Sequence, residues 1–314
     1  MPPTQTTLAE MLKINDVSVA DLGISDIIFA GSAFAMLNAQ ESSNGTLHSY
    51  TVETGAPTVG FRAANTGHNN AAGSSTKYDI SLKILDATVQ EDKAIADVWR
   101  NGSEAFMEKR ALRNLAQAFN QAEKQFLYGT GNDSDGFVGL VENDAYKYQD
   151  SEKVIDGGGS GSAVQSAYII RSTEDDLSVV YNGDEPMTMG EIYEALLNEY
   201  SGGNAVSQYS GYVLPIISWL GLQIGSKHSV VRVANLDLSG TNVEDKIQDG
   251  LAEFPEDKPA THILLSKKCR RSIQKARQSY NPYGAPAVIP DNIDGVPLVL
   301  SAALGAETAI EDES

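Results

Sequence analysis

No proline or glycine interrupts the chain from Ser103 to Tyr128, and Leu112, Leu115, Phe119, Ala122 and Phe126 recur there at alternating steps of three and four residues. An apolar stripe at that spacing predicts one amphipathic helix over 103–128. At 1.5 Å per residue it is about 39 Å long, roughly the full diameter of a compact domain of this size. Asn101 followed by Glu104 resembles a capping box with Asn as the cap, and Gly129 stands where a helix ends. A helix of that length with one stripe is a strut, and the remaining elements have to be arranged along it.

The composition says what can surround the strut. With 314 residues, 41% of them hydrophobic, the chain can bury a substantial core. A net charge of -19 argues against a protein that grips nucleic acid or an anionic membrane, because phosphate affinity rests on clustered Lys and Arg. The charge is uneven: residues 131–200 hold 15 Asp or Glu against 3 Lys or Arg, whereas Lys258 to Arg277 contains a run of 7 cations. The single Cys269 cannot form an internal disulfide, and neither it nor His48, His68, His228 and His262 has zinc-ligand spacing, so a reducing cytoplasm is expected. The N-terminus lacks the basic start and apolar stretch of a signal peptide, so Asn44-Gly-Thr and Asn101-Gly-Ser read as chance matches to a glycosylation pattern. Neither of the longest apolar runs, Ile27 to Leu37 and Tyr212 to Ile224, is long enough to cross a membrane.

Before the strut, residues 1–40 read as an arm, with a short helix around Leu8 to Ile14 and too few bulky apolar positions for a core of its own. Leu47 to Val59 and Lys77 to Val89 favour strands, the second alternating as Tyr78, Ile80, Leu82, Ile84, around a Gly-, Asn- and Ser-rich loop over 60–76. Such a two-stranded ribbon is marginal in water and needs a surface to lie upon. After the strut, Ala167 to Ile170 and Leu177 to Tyr181 read as a hairpin, Met189 to Tyr200 as a helix and Val230 to Ala234 as a strand, with Gly157-Gly-Gly-Ser-Gly-Ser162 as a flexible link. A last unit comprises strand His262 to Leu265, a basic helix Lys267 to Gln278, the turn-rich Asn281 to Pro286 and strand Val296 to Leu300; beyond Ala303 the acidic tail is expected to be disordered.

No motif carries enzyme chemistry. Gly55-Ala-Pro-Thr-Val-Gly-Phe-Arg62 has the glycine spacing of a phosphate-binding loop, but Phe61 and Arg62 stand where such a loop needs Lys and then Ser or Thr. Gly131 to Glu142 places Asp133, Asp135, Gly136 and Glu142 as in a calcium loop, yet Gly131 replaces the first carboxylate, and a helix-exit turn is the plainer reading. Gly159-Ser-Gly-Ser162 is too glycine-rich for a nucleophile elbow, and Glu174-Asp-Asp176 reads as a solvated turn. Catalytic, cofactor and metal sites are therefore expected to be absent. The cations Lys267, Lys268, Arg270, Arg271, Lys275 and Arg277 form either a solvated helix face or a contact with the acidic surface of another copy.

An arm, a projecting ribbon, a strut, a mixed domain and a return to strands make sense together when they lean on identical neighbours. The order resembles the major capsid proteins of tailed bacteriophages, with the Hong Kong 97 type of α+β fold. The matching stretches are Thr54-Gly-Ala-Pro-Thr-Val-Gly-Phe-Arg-Ala-Ala-Asn65, Phe126-Leu-Tyr-Gly129 with Gly136-Phe-Val-Gly-Leu140, Val154-Ile-Asp-Gly-Gly158, Tyr209 through Leu222, Ser229-Val-Val-Arg-Val-Ala-Asn235 and Ile293-Asp-Gly-Val-Pro297. The resemblance implies an N-terminal arm (1–40), an extended loop (41–92), a peripheral domain (93–140 and 255–302) around the spine helix, and an axial domain (141–254), with the acidic tail at 303–314. It further implies pentamers and hexamers that close an icosahedral shell in the virion around double-stranded DNA, with no enzymatic activity and no membrane partner, and with separate scaffolding, portal and decoration proteins as possible partners.

On that resemblance Pro57, Phe61, Arg62 and Asn65 are expected to contact a neighbouring subunit, as are Lys267, Lys268, Arg270 and Arg271. The ribbon begins near residue 47, which leaves no room for the assembly-directing leader of some relatives. Lys77, Lys83 and Asn281 are of the types that crosslink others, but no such bond is expected. An encapsulin-like compartment of the same fold, enclosing a cargo enzyme, is the alternative; an acidic cytoplasmic enzyme of unknown reaction is the third reading.

Overall fold

The computed structural model describes residues 33–69, 71–183, 188–201, 204–240, 242–279 and 287–313. The expected helix over Leu8 to Ile14 and the turn over Asn281 to Pro286 lie outside them. In chain order the ordered elements begin with β1 (Asn38–Glu41), β2 (Leu47–Gly55), β3 (Ser74–Ser81), β4 (Lys83–Asp86) and β5 (Val89–Asp92). Helices α1 (Lys93–Asp97), α2 (Ser103–Tyr128) and α3 (Asp144–Lys147) follow, then β6 (Val154–Asp156), β7 (Gln165–Ile170), β8 (Leu177–Tyr181), β9 (Thr188–Met189), β10 (Tyr193–Ser201), β11 (Asn204–Leu214), β12 (Ile216–Ile224) and β13 (Val230–Leu236). The last elements are α4 (Val243–Ala252), β14 (His262–Leu265), α5 (Lys267–Ser279), β15 (Asn292–Ile293) and β16 (Val296–Leu300).

The strut forms over the expected residues, with its stripe rotated from the expected one. Met107, Ala111, Ala118, Ala122 and Phe126 are fully buried, while Leu112, Leu115 and Phe119 lie half-buried at its margin. Small alanines on the inner face let strands approach the helix closely, which leaves the larger residues flanking the contact. The first half of α2 packs Phe106, Met107 and Ala111 against Val89, Ala96, Leu214 and Ile216; the second half packs Ala122, Phe126 and Leu127 into another cluster with Tyr168, Ile170, Leu220 and Leu264. One helix thus joins two cores. Its start departs from the expected capping box: Gly102, at φ 93°, is the N-cap, and no side chain caps the helix. At the other end Gly129 adopts φ 56°, and a Cβ there would meet the backbone nitrogen of Gly139 at 2.5 Å, so the chain can fold straight back on the helix.

A six-stranded sheet in the order β15-β16-β14-β7-β13-β6 is covered on both faces. Ala167 and Ile169 of β7 point to Ile247 of α4 and to Cys269 and Ile273 of α5, while Tyr168 and Ile170 point to the α2 side. The two-residue period of a strand thus produces a layer between two cores. Burial pushes the Cys269 thiol up to about 12, so it behaves as a packed apolar group. The sheet takes strands from both sides of residue 255. A second sheet, β1-β8-β12-β4 with β9 also on β12, closes the α2-side core, and β10-β11-β5 forms a third.

Four expectations are corrected. The segments 167–170 and 177–181 do not pair as a hairpin: β7 already has β13 and β14 on its two edges, so β8 passes to the second sheet between β1 and β12. Tyr193–Ser201 is a strand rather than part of a helix; its register with β11, from Tyr193↔Val213 to Ser201↔Asn204, overrides the helical propensity of Glu-Ala-Leu-Leu. The glycine run is pinned rather than flexible. Gly157 and Gly159 donate to the carbonyls of Ala234 (2.8 Å) and Asn235 (2.7 Å), and a Cβ on Gly157 would meet the Asn235 oxygen at 2.7 Å.

The tail, finally, is tied down. Tyr128 Oη donates to the Ala303 carbonyl, Glu307 N to the Val164 carbonyl at 2.8 Å, Ala309 N to the Gly161 carbonyl at 2.8 Å and Ile310 N to Asn235 Oδ1 at 2.9 Å. Backbone pairing of this kind outweighs the acidic composition that made the segment read as disordered.

Candidate assembly surfaces

The ribbon is anchored at its base and bare beyond it. β2 and β3 pair from Leu47↔Ser81 to Gly55↔Ser74, with a bulge between Glu53 and Gly55, and Tyr50 and Tyr78 stack across the pair at 5.6 Å. At the base, Leu82 is buried and its amide donates to the Thr46 carbonyl at 2.9 Å. His48 is buried too: its Nδ1 accepts from Ser43 N, which makes the ring the neutral tautomer that donates from Nε2 to Gln223 Oε1 at 2.7 Å. An open cleft of about 950 Å³ separates the base strand, His48 to Thr54, from the turns at Glu174–Asp176 and Gly225–His228.

Outward of Gly55 the character changes. Phe61 is 108% exposed and Val59 88%, a cost in ordered water that nothing in the described chain offsets. Arg62 Nη1 donates to the Thr66 carbonyl at 3.0 Å, Thr66 N donates to the Ala63 carbonyl, and Asn65 takes the left-handed φ of 66° that Asn tolerates. The structure therefore brings Phe61, Arg62 and Asn65 together in one tight exposed turn, with Pro57 at the end of β2. Arg62, expected to reach a neighbour, spends one donor on its own loop and keeps its others exposed.

The second predicted set lies apart, on α5. Ser266 caps that helix through Oγ, which accepts from Cys269 N at 3.0 Å. Cys269, Ser272, Ile273 and Ala276 face inward, whereas Lys267, Lys268, Arg271 and Lys275 are exposed. Arg270 lies 3.9 Å from Asp291, and Arg277 forms a two-pronged pair with Glu244 at 2.9 and 3.0 Å.

The candidate calcium loop turns its carboxylates onto its own chain: Glu142 accepts from Gly139 N at 3.1 Å and from the Thr130 hydroxyl, and Asp133 from Asp135 N at 3.1 Å. Among the described residues no group of three or more His, Cys, Asp or Glu converges as metal ligands would, and no helix is long and apolar enough to cross a membrane.

Two buried charged residues were not singled out in sequence. Arg232, 2% exposed, donates to the Tyr146 carbonyl (2.9 Å), to Ser166 Oγ and to Glu307 Oε2 (3.2 Å), its guanidinium lying over the Tyr168 ring. Burial and the neighbouring Glu307 carboxylate raise the Tyr128 hydroxyl well above its ordinary range. Glu123, on the inner face of α2, accepts from Ala33 N at 2.8 Å and from the Ser301 hydroxyl, tying the arm and β16 to the strut. A lone Arg inside the apolar run Val230-Val-Arg-Val-Ala and a lone Glu within a helical stripe were the available signals.

The shape built so far, a strut joining two cores with a ribbon thrown clear of both, is similar to that of a solved phage structure. That of bacteriophage Epsilon15 superposes with a TM-score of 0.58 over 88% of this chain and 88% of that one, at 19% identity. The capsid of bacteriophage JBD30 aligns over 87% of this chain and 91% of that one, at 10% identity and a TM-score of 0.49. An encapsulin of Synechococcus elongatus covers 65% of this chain and 87% of that one, at 10% identity and a TM-score of 0.41. No curated protein matches the sequence. The fold is that of the shell proteins of tailed phages, the α+β Hong Kong 97 type.

Residues 32–259 match the model of the major capsid protein GP7 family, and the chain belongs to that family. It is a structural protein of the virion, and its capsid is built from copies of itself.

Proposed function

We propose that copies of this chain assemble through pentamers and hexamers into an icosahedral head around double-stranded DNA, each ribbon lying on an adjacent subunit. The observation that carries this reading is the bare tip: an aromatic ring 108% exposed beside a turn closed by Thr66 N on the Ala63 carbonyl is a contact without a surface of its own chain among the described residues. Pro57, Phe61, Arg62 and Asn65 make that contact, Phe61 by burial and Arg62 through its remaining donors to a neighbour's carboxylate or carbonyl. The net charge of -19 supports a lining that repels phosphates and encloses the genome without clinging to it. On this reading residues 93–140 and 255–302 form the peripheral domain around the α2 strut and residues 141–254 the axial domain, with strands of both joined in the six-stranded sheet. Assembly takes place in the host cytoplasm, with portal, scaffold and decoration supplied by other chains, and involves no catalytic step by this one.

The test is expression of the full chain followed by electron microscopy and a DNA-binding assay. Closed icosahedral particles with density for β2–β3 on a neighbouring subunit, and no salt-sensitive DNA binding by the unassembled chain, are expected. A stable small oligomer, or a shell whose content is a protein, would overturn it.

A further inference from the structure

The outer face of α5 works against the helix that carries it. Lys267 and Lys268 occupy the first turn, where the positive end of the helix dipole disfavours cations, and that turn holds no acidic residue. Lys267 with Arg271, and Arg271 with Lys275, are like charges four residues apart, a spacing that repels. Arg270 and Arg277 have carboxylate partners in Asp291 and Glu244. Among the described residues Lys267, Lys268, Arg271 and Lys275 form no ion pair. Four exposed cations that weaken their own helix and find no anion among the described residues point to an anion on another molecule.

A second surface of the chain carries the complementary charge, beside β6, the terminal strand of the sheet whose face α5 covers. Beside β6 the C-terminal tail is tied to the α3 segment: Gln149 N donates to the Glu311 carbonyl at 3.0 Å, and Glu313 N to Asp150 Oδ1 at 3.0 Å. These bonds gather Asp144, Asp150, Glu152, Glu311, Asp312 and Glu313, all exposed, around Lys147, the nearby Lys153 being engaged by Glu253 at 3.7 Å. Six carboxylates against one free ammonium is again an arrangement that repels itself.

We infer that the two patches are the two halves of one contact: the cationic face of α5 in one copy seats against the tail and α3 carboxylates of the next copy. The inference rests on the reading of the chain as a shell subunit and names the surfaces that join neighbours within a ring. Because the two patches are different surfaces of one chain, the contact is head-to-tail, and repetition by a fixed rotation closes a ring without leaving either patch exposed. A second copy suits α5 better than DNA, since a duplex reaching four cations would also meet a chain of net charge -19.

The experiment compares full-length wild type with two variants of the chain in particle yield, by sedimentation and negative-stain microscopy. In the first, Lys268, Arg271 and Lys275 are changed to Gln; in the second they are changed to Glu. Wild type that forms no capsomers or particles would refute the shell reading itself. If wild type assembles, the Gln variant should keep or raise the melting temperature of the unassembled chain, since it removes intrahelical repulsion, yet assemble at least tenfold less. The Glu variant should not assemble, and adding Asp150→Lys, Glu311→Lys and Glu313→Lys to it should restore particles. Wild-type capsomers should loosen between about 0.1 M and about 1 M salt, as the screening length falls from roughly 10 to 3 Å. Assembly of the Gln and Glu variants at wild-type yield would overturn the inference, as would particles that form normally but retain less DNA, or failure of the reversed acidic patch to rescue.

Discussion

The six-stranded sheet and the β2–β3 ribbon are both built largely of antiparallel pairs, yet one is covered on both faces and the other, beyond its base, on neither. In the sheet every residue of β7 is buried, whereas β3 is exposed at every position but Ile80. Strand pairing alone is therefore not what makes either region stable. The sheet is held by the helices that cover it; on the proposed function another copy plays that part for the ribbon.

Substitutions that separate the two regions should follow that difference. Phe126→Ala, in the core beneath the sheet, should cost the unassembled chain about 3–5 kcal/mol by leaving a cavity, read from urea unfolding. Glu307→Ala should cost about 3 kcal/mol in the same assay, because it strands Arg232 as a buried cation without its counter-charge. Phe61→Ala should leave the unassembled chain within about 0.5 kcal/mol of wild type. The same change should weaken particles by about 1.5–3 kcal/mol per subunit, the value of burying one such ring, seen as a lower dissociation temperature. An equal loss in both states would place Phe61 in its own chain's fold and break the contrast.

The smallest effect concerns pH. Burial holds His262, on β14, below its ordinary pKa, so the unfolded chain takes up a proton at a higher pH than the folded one. Stability from this group is complete above about 6.5 and declines as pH falls below it, toward the depressed folded value. His262→Gln should flatten part of the stability loss as pH falls below about 6.5, read from urea unfolding at a series of pH values.

Where local chemistry decided the structure, the sequence was legible. The strut, β14, α5 and β16 lie over or within a residue of the expected spans; the expected ribbon strand Lys77 to Val89 instead breaks at Leu82, its first part forming β3 on β2 and Ile84 belonging to β4, which pairs with β12 in the second sheet. Legibility failed where a distant partner decides. Met189 to Tyr200 carries helix formers, and only β11 makes most of it a strand; Gly202-Gly203, between two pairing segments, was the overlooked hairpin signal. β8 leaves β7 because both β7 edges are taken, which requires knowing the positions of β13 and β14. The glycine run and the acidic tail looked free by composition, yet each is stitched to β13 or its neighbours by backbone bonds that leave no mark on side-chain pattern. The proposed contact residues were legible as types, and the cations as one helix face, but the grouping of Phe61, Arg62 and Asn65 around one exposed turn was not.

The claim that the ribbon is completed by a neighbour is tested most directly by hydrogen exchange of the amides from Gly55 to Ser74, followed in the unassembled chain and in assembled particles. Rapid exchange in the first and slowing by orders of magnitude in the second is the expected result, with β7 protected in both. Equal rates in the two states, or a tip already protected in the free chain, would contradict it.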